Sequence, residues 1–222
     1  MREPSATTEA PYVPALGFAA LTRLYDPVLR ATLREDVFKR ALVAQVAPAS
    51  GSRVLDLGAG TGTLTMLLQR AAPGATVVGV DGDAAILALA RRKAAAAELV
   101  LRFDHAMADA LPYDDGSFDR VVSSLLLHHL TPAVKRRALA EAHRVLVPGG
   151  ELHVADWGRP QNALMRVLFV GIQLLDGFAT TAENVDGMLP ELFREAGFRD
   201  VHETRAFATV FGTIALYRGR RV

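Results

Sequence analysis

From about residue 50 the chain alternates between two hydrophobic rhythms. Short apolar runs bounded by turn formers, Arg53–Leu57 (RVLDL) and Thr76–Asp81 (TVVGVD), predict buried strands. Between them Gly62–Ala72 repeats its apolar positions at helical spacing, with Thr61 or Thr63 as the expected N-cap. Ala84–Ala96 is a strong helix former, and Glu98–Phe103 (ELVLRF) predicts a third strand. The turn Asp114-Asp115-Gly116 announces a fourth strand over Phe118–Ser123. Pro132–Val145 predicts a helix capped by Thr131 and stopped by Pro148-Gly149-Gly150, after which Glu151–Ala155 begins a fifth strand. The last part changes rhythm: a short helix over Leu189–Ala196 ends at Gly197. Two strand-like runs follow, Val201–Val210 and Thr213–Tyr217, broken at Gly212.

Strand–helix alternation at this spacing means βαβ units, hence an α/β fold with a doubly wound, mostly parallel sheet. The hairpin-like ending adds an antiparallel strand at one edge. Such sheets bind ligands at the C-terminal ends of their strands, where strand order reverses. Residues 15–48, expected to form one or two helices, and residues 160–187 fall outside the alternation. Both are read as lid segments of a single domain over 15–222, with 1–14 a flexible N-terminal tail. The apolar stretch 164–178, with Phe169, Leu174, Leu175 and Phe178, suits either a hydrophobic acceptor pocket or ordinary core, and Trp157 is expected to face the pocket.

Composition narrows the chemistry. A chain of 222 residues suits one domain with a full core. Zero cysteines exclude disulfides, Cys-ligated zinc, iron–sulfur clusters and a Cys nucleophile. A net charge of +1 argues against nucleic-acid binding driven by bulk charge. No segment reads as a signal peptide or a membrane span, so the expected compartment is the cytoplasm. The basic clusters Arg91-Arg92-Lys93 and Lys135-Arg136-Arg137 read as solvated helix faces.

The strongest local signal is Asp56-Leu57-Gly58-Ala59-Gly60-Thr61-Gly62, which follows a strand and opens a helix. Glycines there allow a tight reversal and let a ligand approach the backbone. The spacing is G-x-G-x-G, whereas a dinucleotide loop wants G-x-G-x-x-G and a P-loop wants Gly-Lys-Ser/Thr. Asp56 would repel a phosphate but favour an ammonium group. Asp81 ends the second strand, where a carboxylate accepts hydrogen bonds from a ribose diol, with Gly82 and Asp83 flanking it. Asp109, in Ala108-Asp109-Ala110, suits an exocyclic amine. Amine, ribose and base without phosphate describe S-adenosylmethionine.

On these residues the chain resembles the class I S-adenosylmethionine-dependent methyltransferases. VLDLGAGTG (54–62), VVGVDGDAAIL (77–87), ADALPYDDGSFDRVVSSLLLHHL (108–130) and HRVLVPGGEL (143–152) resemble the family's motifs in order. Within the class it resembles the ubiquinone/menaquinone-biosynthesis-like small-molecule methyltransferases, helped by Tyr25-Asp26. The resemblance implies a seven-stranded Rossmann-like sheet with its last strand antiparallel. It implies that Gly58, Ala59, Gly60 and Gly62 line the methionine part of the cofactor, with Asp56 near its amino group. Asp81 would hold the ribose, Asp109 and Ala110 would face adenine, and Ser123, Ser124 and Leu125 would contact the cofactor opposite the glycine loop. Tyr25 and Arg34 would close over the cofactor.

Transfer of a methyl group from a sulfonium is an in-line displacement that needs alignment and exclusion of water rather than a metal. A base helps when the acceptor is a phenol or an activated carbon. His128 and His129, after the fourth strand, are the candidates, unless they are structural. The expected activity is methylation of a small, hydrophobic acceptor. A non-catalytic cofactor-binding protein and a nicotinamide-dependent oxidoreductase remain alternatives at this point.

Overall fold

A computed structural model describes residues 35–222, apart from the side chains of residues 164, 175 and 176. Tyr25, Asp26, Arg34, the tail 1–14 and the side chain of Leu175 therefore lie outside the described residues.

Five parallel strands, β1 (Arg53–Leu57), β2 (Thr76–Asp81), β3 (Arg102–His105), β4 (Phe118–Ser124) and β5 (Leu146–Gly158), form most of the sheet. The final hairpin, β6 (Arg199–Ala208) and β7 (Thr213–Arg220), completes it in the order β3-β2-β1-β4-β5-β7-β6. β7 runs antiparallel to both neighbours, β5 and β6. The chain leaves β1 toward β2 and β3, then returns to lay β4 on the other side of β1. The strand order thus reverses between the C-terminal ends of β1 and β4, at Leu57 and Ser123.

The unbroken apolar runs of the central strands follow from burial on both faces, because successive side chains point to opposite sides. Leu55 and Val121 enter one core, with Leu139 of α4 (Pro132–Val145) and Phe193 of α7 (Leu189–Glu195). Val54 and Val122 enter the other, with Phe38 and Leu42 of α1 (Glu35–Val46) and Leu64 and Leu68 of α2 (Thr63–Ala71). Each fully buried Leu or Phe contributes about 1.5–3 kcal/mol. A smaller cluster packs Leu87 and Ala90 of α3 (Ala84–Ala96) on Phe103.

The third strand starts later than its composition suggests. Glu98 turns into the left-handed region at φ 56°, and Leu99 N–H closes on Ala94 O at 3.0 Å. This C-terminal lock on α3 takes Glu98 and Leu99 out of the sheet, and pairing with β2 begins at Arg102 opposite Val78. Neither expected threonine cap is made by a side chain. Gly62, at φ 74°, occupies the N-cap of α2, and Thr131 caps α4 with its backbone only.

The basic cluster on α4 is only partly a solvated face. Lys135 is 0% exposed. Its Nζ donates to Thr180 O at 3.0 Å and Asn184 Oδ1 at 2.8 Å, and lies 3.2 Å from Glu183 Oε2. These partners belong to α6 (Phe178–Val185), which follows α5 (Ala163–Asp176) within the expected 160–187 segment. Asn162 Oδ1 caps α5 by accepting from Met165 N–H at 2.9 Å. Trp157 lies inside β5 and stacks edge-on against Phe169 at 5.0 Å, so both are core residues. Leu174 and Phe178 instead face solvent. Among the described residues no helix is long and apolar enough to cross a membrane.

At the other side, Gln45 Nε2 donates to Tyr217 O at 3.1 Å and lies 3.1 Å from His153 Nδ1, and Thr204 Oγ1 donates to Gln45 Oε1. These bonds lash α1 to the sheet and fix where Lys39, two turns earlier, stands.

Candidate functional site

A cavity opens at the strand-order reversal. Its floor is the loop Gly58–Thr61 with Leu57. One wall is Asp81–Asp83 with Ile86 and Met107. The opposite wall is Ser124, Leu125, Leu126, His129 and Leu130, and Lys39 reaches it from α1.

The loop's glycines have different reasons to be there. Gly58 and Gly62 sit at φ 76° and 74°, and a Cβ on either would stand within 2.9 Å of Leu126 or 2.8 Å of the Phe103 ring respectively. Gly60, at φ 53°, has nothing within 4 Å of its would-be Cβ. It lines the cavity, so a side chain there would fill ligand space. Gly58 and Ala59 N–H groups both donate to Val80 O at 2.9 Å, pinning the loop to β2.

Asp81 faces this loop. Its Oδ2 accepts from Gly60 N–H and its Oδ1 from Asp83 N–H, each at 2.9 Å. Burial raises its pKa against these bonds. Each oxygen retains a lone pair for a diol. Asp83 lies beside it as the N-cap of α3, accepting from Ala85 and Ile86 N–H.

Asp56 stands one layer behind the cavity wall, 1% exposed. Thr65 Oγ1 donates to its Oδ2 at 2.6 Å, whereas Oδ1 has no hydrogen-bond partner among the described residues. Burial pushes its pKa up to about 6, against the Thr65 bond and the charge of Lys39. A buried carboxylate oxygen with an open acceptor position can take a hydrogen bond from a cationic donor.

The end of β4 divides its work. Ser123 Oγ donates to Leu57 O at 2.8 Å, clamping β4 to β1 and leaving the cavity wall to its neighbours. Ser124 lines the cavity with its buried Oγ unpartnered among the described residues. Leu125 breaks the strand at φ 57°, an uncommon conformation for leucine.

The histidine pair follows on the 3₁₀ turn Leu127–His129. His128 is buried, and its Nδ1 lies 2.7 Å from Asp156 Oδ1. Asp156 also accepts from Leu127 and Trp157 N–H at 2.8 and 2.7 Å. Burial pushes the pKa of Asp156 up, yet its electrostatic interaction and hydrogen bond with His128 and the backbone bond from Trp157 outweigh it and hold the group below the usual carboxylate range. His129 lines the cavity, its ring 4.0 Å from that of His128. Burial first, then the neighbouring His128, lower its pKa to about 3. It is therefore neutral near pH 7 and accepts or donates a hydrogen bond without bringing charge.

Asp109 and Ala110 stand away from the cavity. Arg137 Nε and Nη2 donate to Asp109 Oδ2 at 3.0 and 2.7 Å, and Ala110 is exposed. The wall there is Ala106, Met107 and Ala108. Several residues of the site escaped the sequence reading, among them Lys39, Leu126 and Asp156, with Ile86, Met107 and Leu130 of the cavity walls. Only Asp156 had a signal, as a lone carboxylate interrupting the apolar run HVADWG at a strand's C-terminal end.

The orphaned Asp56 Oδ1, the space at Gly60 and the lone pairs of Asp81 fit the ammonium, backbone approach and ribose of S-adenosylmethionine. Comparison with known proteins agrees. A model of the methyltransferase domain matches residues 54–150. A protein named demethylmenaquinone methyltransferase from Thermus thermophilus is 40% identical over 132 residues, 60% of this chain and 59% of that one. A protein of the same name from Clavibacter sepedonicus is 34% identical over 203 residues, 83% of this chain and 80% of that one. Among solved structures, a SAM-dependent methyltransferase from Aquifex aeolicus superposes with a TM-score of 0.67 at 17% identity, covering 92% of this chain and 98% of that one. Phosphoethanolamine N-methyltransferase 2 of Haemonchus contortus, in complex with S-adenosyl-L-methionine, gives a TM-score of 0.67 at 16% identity, over 82% of this chain and 52% of that one.

Proposed function

We propose that this chain, which belongs to the class I S-adenosylmethionine-dependent methyltransferases, attaches the methyl group to a ring carbon of a small, hydrophobic, hydroquinone-like acceptor. The observation that carries the acceptor class is the wall opposite the glycine loop. It offers Leu125, Leu126 and Leu130 with one neutral imidazole, His129, and no charged group among its described residues. A flat apolar ring with a hydroxyl fits such a wall; a charged amine or phosphate finds no partner on it. The names of the relatives point to the same acceptor class.

S-adenosylmethionine, when bound, supplies a methyl group on a positively charged sulfur, an electrophile whose charge disappears on transfer, and the ring carbon that takes the methyl would give up its hydrogen as a proton to solvent. The chain's own part is to bind, orient and keep out water. Asp81 holds the ribose hydroxyls, Asp56 meets the ammonium, and Gly58, Ala59 and Gly60 bring the backbone close. The strained Leu125 and the turn after it set the acceptor wall. His129 accepts the acceptor's O–H as a hydrogen bond, which turns the ring and raises electron density on it. At about 3 its pKa is too low for it to keep that proton near neutral pH, so its role is orientation. His128, held by Asp156, supports the His129 ring from behind. The helix α6 acts as a roof over the histidine turn: it packs on that turn and is anchored through Lys135.

The test is to supply cofactor with a short-tailed naphthohydroquinone, a catechol and an aliphatic amine, and to locate the new methyl by NMR. A methyl on the hydroquinone ring carbon is expected. Methylation on oxygen or nitrogen alone, or none in protein that binds S-adenosylhomocysteine, rejects this acceptor class.

A further inference from the structure

Two opposite charges flank the glycine loop, and the transfer of the methyl group itself uses neither. Lys39 of α1 lines the cavity beside Gly58, Ala59 and Gly60. Its ammonium pairs with Glu35 one turn earlier, and its side chain is only 13% exposed. Asp56 lies behind the loop with Oδ1 buried and unpartnered among the described residues. The two are near enough that the charge of Lys39 helps keep Asp56 ionised. Among the described residues lining the cavity, Lys39 is the one cation, since His129 is neutral there.

An α-amino acid is a zwitterion. Taken out of bulk water, each of its charges needs an opposite, hydrogen-bonding partner, or the burial is strongly unfavourable. The methionine part of the cofactor ends in such a group. Asp56 answers its ammonium, and the loop's N–H donors at 58, 59 and 60 are already given to Val80 O and Asp81 Oδ2, which leaves Lys39 as the one cation among the described cavity residues to meet its carboxylate. We propose that Lys39 binds the carboxylate of the cofactor's methionine part, forming with Asp56 a two-charge clamp for the amino-acid end. Glu35 then has a definite use: it keeps the Lys39 ammonium neutralised when no carboxylate is present. It follows that α1, tied to the sheet through Gln45, is part of the cofactor site.

Two probes separate this role from a structural one. S-adenosylhomocysteine carries the amino-acid end; 5′-methylthioadenosine shares the adenosine and sulfur and lacks it. Calorimetric titration of the native protein, Lys39→Met and Lys39→Arg with both probes reads the difference directly. Lys39→Met is expected to lose tenfold or more in affinity for S-adenosylhomocysteine while its affinity for 5′-methylthioadenosine stays within twofold, and Lys39→Arg is expected to recover most of the loss. Equal weakening of both probes would make Lys39 a structural residue, and no weakening of either would remove it from the clamp. A native protein that binds neither probe would overturn the cofactor site as a whole, and this assignment with it.

Discussion

His128 Nδ1 and Asp156 Oδ1 lie 2.7 Å apart, both side chains buried, joining the turn after β4 to the end of β5. Asp156 also takes the N–H groups of Leu127 and Trp157. Asp156→Ala would remove a buried acceptor from the His128 imidazole and from two backbone donors, and is expected to destabilise the fold by about 3–5 kcal/mol. Asp156→Asn keeps the shape but not the charge and should cost less. Urea unfolding of both variants checks the order; equal stability of Asp156→Ala and the native protein would contradict it.

Asp56 links stability to pH. Its pKa is raised by burial to about 6, so the folded state holds a proton that the unfolded chain releases near pH 4. Stability of the ligand-free protein is therefore expected to fall as pH rises from about 4 to about 6, by up to about 3 kcal/mol. Asp56→Asn should abolish that slope and stabilise the free protein near pH 7 while weakening cofactor binding. A native protein whose stability rises smoothly over this window, with the variant behaving alike, would show that Asp56 is ionised and satisfied.

His129 is expected to leave no titration near its ordinary value. With a pKa of about 3 it stays neutral from pH 5 to 8, so its protonation should not bend the rate profile in that range. His129→Phe should lower kcat by about 10²-fold, in the range that a misplaced acceptor costs, and His129→Gln by less. A rate inflection between pH 6 and 7 that disappears in His129→Gln would instead make it a titrating base.

Gly60→Ala tests the open space in the loop. The left-handed φ of 53° costs alanine about 1 kcal/mol, so the fold should survive. Its methyl group would enter the cavity, and affinity for S-adenosylhomocysteine should drop at least tenfold. Unchanged affinity would mean that the cofactor does not approach the loop here.

Lys135→Met probes the roof. It removes a buried ammonium from Thr180 O, Asn184 Oδ1 and Glu183, and is expected to raise hydrogen exchange over 178–185 more than elsewhere. Uniform exchange across the chain would deny α6 its dependence on Lys135.

What could be read from the sequence was what is local. The loop Asp56–Gly62, Asp81 at the end of β2 and the alternation of elements are short-range patterns, and the sheet follows from them. Asp156 and Lys135 matter through partners far along the chain, and Lys39 through the loop and carboxylate it faces rather than through its i,i+4 partner Glu35, and no spacing rule reaches them. The basic run at 135–137 looked uniform, yet α6 folds over its first member and leaves Arg136 and Arg137 in water. Glu98–Val100 has strand-like composition, but the lock that ends α3 claims it first. Asp109 has the right residue type for a base contact, and Arg137, one helix away, takes its carboxylate.

The account turns most directly on Asp81 and the cavity it faces. Thermal unfolding of the native protein and of Asp81→Ala, each with and without S-adenosylhomocysteine at a hundredfold excess over its dissociation constant, is the measurement. A ligand that binds only the folded state adds about 2.7 kcal/mol under those conditions. The native midpoint should rise by the corresponding amount and the variant's should not move. No rise in folded native protein, or an equal rise in the variant, would contradict a cofactor held at this site.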